Sequence, residues 1–286
     1  MATPAKGAGD ENFPVGSLLL ARRLRPHVAA FYAFARTADD VADDPARAPD
    51  EKVRILDRMA SALVAGGDGG VGDRLRASLA VAGVPAAHAL ALLDAFRQDA
   101  RQGRYADWAG LMDYCDRSAA PVGRFLLDLH GEARSLWPAA DALCAALQVL
   151  NHLQDCGDDR RTLDRIYLPL DWLAAEGATV ADLDRDALSP ALRRVLDRCL
   201  DGVDDLLRRS RSLSAGLASA RLAAEAAVIQ RIAERLAAAL RRGDPLARRV
   251  KLSRPAYAAA ALAGIAGALA GRLAGSGARA ARAAGP

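Results

Sequence analysis

Hydrophobic residues recur every three or four positions along most of the chain. The repeat is clearest after Pro190, where the apolar positions are Leu192, Val195, Leu196, Cys199, Leu200, Val203, Leu206 and Leu207. This spacing places them on one face of a helix. The same period predicts helices at about 12–21, 26–43, 50–64, 72–82, 85–103, 107–131, 138–160, 190–207, 219–242 and 254–274. No alternation typical of strands persists, so the pattern predicts an all-α protein.

Proline and glycine mark the interruptions between these segments. Pro45 and Pro49 follow the helix at 26–43, and a glycine-rich run at 66–70 predicts a surface loop. Pro121 and Gly123 predict a kink within 107–131. Residues 165–169 are expected to form an extended connection. Since nothing divides the apolar pattern, we expect one domain over 11–274, with disordered tails at 1–10 and 275–286.

The composition supports a helical protein with a sizeable core. Hydrophobic residues make up 52% of the 286 residues but aromatic residues only 5%. The core is therefore built largely from Ala and Leu, which favour helix. The formal net charge of +4 comes mainly from Arg that is interspersed with Asp. Such a mixed surface argues against nucleic-acid binding, although an anionic ligand such as a phosphate ester is compatible with it.

The first residues and the cysteines indicate a cytoplasmic protein. Residues 1–10 lack the apolar segment of a signal peptide. The four cysteines form no C-x-x-C pair, and we expect them to be reduced. The Ala- and Gly-rich segment 255–274 is interrupted by Arg272 and is a poor candidate for a membrane span. It is compatible with a peripheral contact at the cytoplasmic face of the membrane.

The helix predicted at 26–43 ends in an acidic cluster. At 100° per residue, Tyr32, Arg36, Asp39 and Asp43 fall within about 60° of one another. Asp39 and Asp43 therefore lie one turn apart on the same face. Like charges at this spacing destabilise a helix unless a cation lies between or beside them.

A second polar face is predicted on the helix at 138–160. Gln148, Asn151, Asp155, Asp158 and Asp159 occupy an arc of about 100°. If the two helices face each other, several carboxylates converge on one cavity, and such a cluster requires cations.

Oxygen ligands without a matching Cys/His set favour Mg²⁺. Mg²⁺ commonly links carboxylates to substrate phosphates, and it would make a diphosphate a good leaving group. The carbocation that forms would need a dry, apolar pocket between helices. A carboxylate pair on one helix is most often an ordinary solvated face, however, and the spacing by itself leaves that alternative open.

Both acidic segments resemble motifs of the squalene/phytoene synthase family. The segment 36–43 is similar to its first aspartate-rich motif, and 151–159 followed by 165–169 is similar to its second. The resemblance covers 11–169 and implies an isoprenoid-synthase helical bundle with a central cavity. The chain departs from most members at Ser118, Ala119 and Ala120, where they carry Val-Ala-Gly, and at Gln154, where they carry Arg.

The resemblance implies a role for each matching residue. Asp39 and Asp43 would hold Mg²⁺ from one helix, and Asn151, Asp155 and Asp159 from the other. The implied substrate contacts are Glu11, Asn12 and Phe13 closing over the diphosphate, Tyr32 and Arg36 beside it, Gln148 and Asn151 on the second helix, and Tyr114 and Tyr167 near the reacting carbons or the phosphates. The four aspartates and Tyr114 would be the catalytic residues.

The segments 11–15, 24–28, 118–124 and 153–155 are most similar to those of members that convert presqualene diphosphate and water into hydroxysqualene in hopanoid biosynthesis. We therefore expect an isoprenoid diphosphate substrate, Mg²⁺, no NADPH and functional coupling to other enzymes of the squalene pathway. Selection of water as the nucleophile is expected to depend on residues 118–121 and Gln154, with His152 as a buried neighbour that could position the water. Two alternatives stay open: condensation of two farnesyl diphosphates, and a catalytically silent assembly partner.

Overall fold

The computed structural model describes residues 20–67 and 69–283, and within them every regular element is a helix. The α-helices are α1 (Arg25–Asp43), α2 (Pro49–Ala65), α3 (Val71–Ala82), α4 (Ala87–Asp99), α5 (Trp108–Ser118), α6 (Ala120–His130), α7 (Trp137–Leu163), α8 (Leu170–Ala175), α9 (Pro190–Ser210), α10 (Ser212–Gly216), α11 (Ala220–Arg242) and α12 (Arg254–Ala283). Short 3₁₀ turns occur at Arg22–Leu24, Arg134–Leu136 and Val180–Asp184. The predicted all-α class is confirmed.

Most predicted helices agree with the observed ones, because local signals set their ends. Pro lies in the first turn of α1, α2, α7 and α9, where the absent N–H costs no hydrogen bond. The hydroxyl of Ser189 caps α9, and that of Ser219 caps α11. The helix predicted at 12–21 and the tail at 1–10 lie outside the described residues.

Three predicted elements differ from the structure. The helix expected at 85–103 ends at Asp99, and the one expected at 107–131 is two helices. Its predicted kink is a break at Ala119, whose backbone leaves the helical conformation just before the Ala120-Pro121 pair. α12 continues to Ala283 rather than ending near 274, so the tail expected at 275–286 is helical in its first part.

The helices pack in two groups, one around α1 and the other around α7. α1 packs on α2, α3 and α4, whereas α7 packs on α5, α6, α9 and α11. The core between them is continuous and contains Phe34, Leu56, Phe125, Leu150 and Leu153, each fully buried.

The last helix is held against α11 by a close backbone approach. A Cβ atom at Gly264 would lie 2.6 Å from the Cα of Val228, so this crossing requires glycine. Leu262 and Leu269 of α12 are exposed. None of the described helices combines the length and the apolar character needed to cross a bilayer.

Residues 165–169 run beside the connection between α4 and α5. Ile166 N–H donates to the carbonyl of Gly103 over 2.8 Å, and Arg104 and Ile166 form an isolated parallel bridge. This confirms the extended connection and fixes the chain that follows α7 against α4 and α5. It thereby carries Arg165 to the end of α1 and Tyr167 to the last residue of α4.

Candidate active site

The first acidic pair lies at the C-terminal end of α1, where the helix brings Arg36 onto the same face. Arg36 Nη1 donates to Asp39 Oδ2 over 3.2 Å, and its Nη2 lies 2.8 Å from Asp40 Oδ1. Asp39 and Asp43 retain 38% and 36% side-chain exposure, so both border a space that a ligand can reach. The predicted grouping of Arg36 with the α1 carboxylates is present.

Arg165 binds Asp43 from the other side. Its Nη1 donates to Asp43 Oδ1 over 2.5 Å, and its Nη2 donates to the Ala42 carbonyl over 3.0 Å. The residue is only 7% exposed. Arg165 therefore neutralises one α1 carboxylate and ties the end of α1 to the chain that follows α7.

A buried carboxylate at the end of α4 joins the two predicted tyrosines. Asp99, the last residue of α4, accepts from the Tyr114 hydroxyl over 2.8 Å and from the Tyr167 hydroxyl over 3.4 Å. Burial raises the pKa values of Tyr114 and Tyr167 well above the usual range, so both phenols keep their protons. The structure thus brings both predicted tyrosines into one hydrogen-bonded cluster.

The carboxylates of this region are costly to ionise. Loss of hydration raises the pKa of Asp99 to about 6, and repulsion from Asp43 adds to this while Arg165 opposes it. The pKa of Asp39 rises to about 7, first from loss of hydration and then from repulsion by Asp43. Although the Asp39 side chain is partly exposed, its surroundings are enclosed and acidic. A divalent cation would relieve this repulsion.

The second acidic face lies near the C-terminal end of α7. Asp155 accepts from Arg249 Nη2 over 2.9 Å, and a second atom pair, Arg249 Nε and Asp155 Oδ1, lies 2.9 Å apart without hydrogen-bond geometry. Asp159 Oδ2 lies 4.0 Å from His152 Nδ1. Asp158 is exposed and pairs with Arg161, so it belongs to the surface.

His152 links this face to the tyrosine cluster. Its ring stacks on Tyr167 with centroids 3.5 Å apart, and its Nε2 lies 3.2 Å from the amide nitrogen of Gln148. Burial, with the nearby Arg165 charge, lowers the pKa of His152 to about 3, so the imidazole is neutral. Gln148, His152 and Asp159 therefore form one wall with Tyr167.

The structure describes only some of the remaining predicted residues. Tyr32 and Asn151 are half-buried on α1 and α7, and each interacts with neighbouring residues. Glu11, Asn12 and Phe13 lie outside the described residues. Gln154 is 2% exposed and donates to the Val250 carbonyl over 2.5 Å, so its amide is engaged in packing α7 against the chain before α12.

The donor set suits a hard cation. Within 20–67 and 69–283 no group of three or more Asp, Glu, His or Cys side chains lies close enough to enclose one ion. The oxygens are instead divided between Asp39 and Asp43 on α1 and Asp155 and Asp159 on α7. Mg²⁺ fits this arrangement because it keeps several waters and takes one or two carboxylates together with phosphate oxygens.

Three residues of this region were missed from the sequence. Asp99 ends α4 and has no carboxylate four residues before or after it, so periodicity does not identify it. Arg165 lies within the second family motif, but the resemblance implies no separate role for it, and Arg249 lies more than 90 residues from its partner on α7. The only available signal was a charged residue adjacent to an apolar segment, which many surface residues share.

The all-α fold, with one carboxylate pair on α1 and another on α7, is that of an isoprenoid-synthase-type helical bundle. A family model described as squalene/phytoene synthase matches residues 7–256. The chain belongs to the squalene/phytoene synthase family.

Similar proteins indicate which enzymes of this family the chain resembles. The chain is 48% identical to a hydroxysqualene synthase of Zymomonas mobilis, over 86% of this chain and 84% of that protein. It is also 48% identical to a hydroxysqualene synthase of Rhodopseudomonas palustris, over 85% and 84%. The chain is thus an enzyme of the kind to which these proteins belong.

Solved structures are similar to this chain in fold. The squalene synthase of Alicyclobacillus acidocaldarius superposes with a TM-score of 0.71 at 33% identity, covering 80% of this chain and 87% of that one. A dehydrosqualene synthase in complex with a ligand gives a TM-score of 0.75 at 21% identity, covering 88% and 90%, and supports the fold alone.

Proposed function

We propose that this enzyme converts presqualene diphosphate and water into hydroxysqualene and diphosphate, with Mg²⁺ as cofactor. The C–O bond to diphosphate breaks, the cyclopropylcarbinyl cation rearranges, and water forms a new C–O bond to the cation. The water's surplus proton leaves with the diphosphate, so atoms and charge balance. The proposal places the enzyme in squalene and hopanoid biosynthesis.

One observation carries this proposal: Asp39 and Asp43 of α1 and Asp159 of α7 interact electrostatically with the same buried cluster of Asp99, Tyr114 and Tyr167. The similarity to hydroxysqualene synthases supplies the reaction class. Bound Mg²⁺ would neutralise charge on the departing diphosphate. Asp39 and Asp43 would hold it from α1, with Asn151, Asp155 and Asp159 opposite.

Arg36 would act at the diphosphate, and the aromatic side chains would act at the carbon end of the substrate. Arg36 would pair with the diphosphate, exchanging its present carboxylate partners for phosphate oxygens. Tyr114 and Tyr167 are protonated and His152 is neutral, so the phenols add no negative charge to the site and the imidazole adds no positive charge that would repel the cation. The Tyr167 ring stacks on His152 and contacts Tyr114 at a tilt, and these rings would help to exclude bulk water from the carbon end, where early capture would give other alcohols.

The deciding experiment supplies purified protein with presqualene diphosphate and Mg²⁺ in ¹⁸O-labelled water. The expected product is hydroxysqualene that carries ¹⁸O, with no change when NADPH is added. Formation of product from farnesyl diphosphate alone would instead support the alternative, a presqualene diphosphate or squalene synthase. Absence of any product from either substrate would support a silent assembly partner.

The lipid substrate and product also support two proposals about the protein's surroundings. The protein would work in the cytoplasm and contact the membrane surface through α12, where Leu262 and Leu269 are exposed and acidic residues are lacking. It would be coupled functionally to enzymes that make presqualene diphosphate or use hydroxysqualene.

A further inference from the structure

Ser118 ends the face of α5 that points into the protein. The buried residues of this helix are Leu111, Tyr114 and Cys115, and Ser118 follows at the next position of the same repeat. It lies one turn beyond Tyr114, about 40° from it around the helix axis. The serine therefore continues the face that carries the Asp99-bound tyrosine.

The hydroxyl oxygen of Ser118 is buried and has no hydrogen-bond partner among the described residues. A buried hydroxyl without a partner destabilises a protein, and an apolar residue of similar shape removes that penalty. Within helices, serine often bonds the carbonyl four residues earlier, but Ser118 does not. Its hydrogen-bonding capacity is thus available to a ligand.

The polar groups of Gln154, Tyr114 and His152 already have partners. Gln154 donates its amide hydrogen to Val250, and the Tyr114 hydroxyl donates to Asp99. His152 has Gln148 at one ring nitrogen and Asp159 near the other. Of the two regions expected to select water, the structure therefore favours the one around Ser118 over Gln154.

We propose that the Ser118 hydroxyl holds the water molecule that captures the carbocation, an inference that rests on the proposed function. Ser118 Oγ accepts a hydrogen bond from this water and leaves an oxygen lone pair directed at the cation. As the new C–O bond forms, the oxonium proton passes to the released diphosphate, the strongest base present. Ser118 is a positioning residue and exchanges no proton itself.

The test separates ionisation from capture. Wild type, Ser118→Val, Ser118→Ala and Ser118→Thr are incubated with presqualene diphosphate and Mg²⁺, and released diphosphate and hydroxysqualene are measured in the same samples. Ionisation precedes capture, so Ser118→Val should release diphosphate within about twofold of wild type. The ratio of hydroxysqualene to diphosphate should fall at least about fivefold, the loss expected for one hydrogen bond.

The remaining cation should lose a proton to give a hydrocarbon or be captured at another carbon. Ser118→Thr keeps a hydroxyl and should restore the wild-type ratio. Ser210→Ala is the matched control, because the buried Ser210 hydroxyl already donates to the Leu207 carbonyl and contacts Gln230. It should lower thermal stability without changing the product ratio.

The outcomes are distinguishable. A wild-type ratio in both Ser118→Val and Ser118→Ala, with wild type making hydroxysqualene, overturns the role of Ser118 and leaves the proposed function intact. If wild type itself makes no hydroxysqualene from presqualene diphosphate, the proposed function fails and this inference fails with it. Ser118→Ala keeps the test decisive if the bulkier valine prevents folding.

Discussion

Asp99 offers a direct test of the electrostatics of the metal-free site. It is 9% exposed, and its pKa is raised from 3.8 to about 6. A carboxyl group with a raised pKa in the folded state stabilises the fold below its unfolded pKa, and that stability is lost as the pH rises through the folded value. Ionised Asp99 should therefore cost the folded enzyme about 3 kcal/mol at pH 8.

The substitution Asp99→Asn removes this titration while keeping an oxygen that can accept from Tyr114. Its stability relative to wild type should rise with pH, and about half of the total change, ~1.5 kcal/mol, should develop between pH 5 and pH 8. Relief of the repulsion on Asp39 acts in the same direction. Any hydrogen-bond loss on substitution is nearly independent of pH and cancels in the difference.

The assay is urea unfolding in EDTA at pH 5 and pH 8, followed by circular dichroism. Asp94→Asn is the control, because Asp94 lies on the same helix, is exposed and pairs with Arg97. Its stability difference from wild type should be the same at both pH values. A pH-independent difference for Asp99→Asn would show that Asp99 is not held near a pKa of 6, and the argument from burial would be wrong.

Other expectations concern the metal, Arg249 and the membrane. Asp39→Asn should lower diphosphate release at least about a hundredfold, and EDTA should do the same to wild type until Mg²⁺ is restored; unchanged release in either case would contradict the metal's role. Arg249→Gln removes a cation from the second acidic face, so Mn²⁺ affinity without diphosphate, measured by electron paramagnetic resonance, should rise at least about fivefold, with Arg248→Gln as the exposed control. Equal affinities would rule out that competition. Leu262→Ser should weaken co-sedimentation with anionic liposomes, whereas Val81→Ser on α3 should not; wild type that stays in the supernatant would refute membrane contact.

Periodicity predicted the helices that carry the acidic residues because each is long and has a continuous buried face. α7 and α9 are examples, and each has the expected proline residue in its first turn. It missed α8, which is too short to show a repeat, and it joined α5 to α6 because the apolar pattern continues across Ala119. The break there depends on one backbone conformation rather than on side-chain pattern.

The candidate site, like the fold, could be predicted only in part. Spacing predicted that Asp39 and Asp43 share a face, since that follows from the geometry of one helix. It could not predict Arg165 on Asp43 or Tyr167 on Asp99, because these contacts join residues far apart in the chain. Such contacts depend on how helices pack. Family resemblance supplied Tyr167 as a site residue, but neither its hydrogen bond nor the buried Asp99 that accepts it.

The connection between α11 and α12 has a consequence for how the sequence can change. Leu246 packs so closely on α7 that a methyl group at Gly157 would lie 2.8 Å from its Cδ2, while Val250 accepts from Gln154 and Arg249 pairs with Asp155. Connections between helices ordinarily tolerate insertions and deletions. Here the insertion or deletion of a single residue would shift Arg249 away from Asp155, so the length of this connection is set by its contacts with α7.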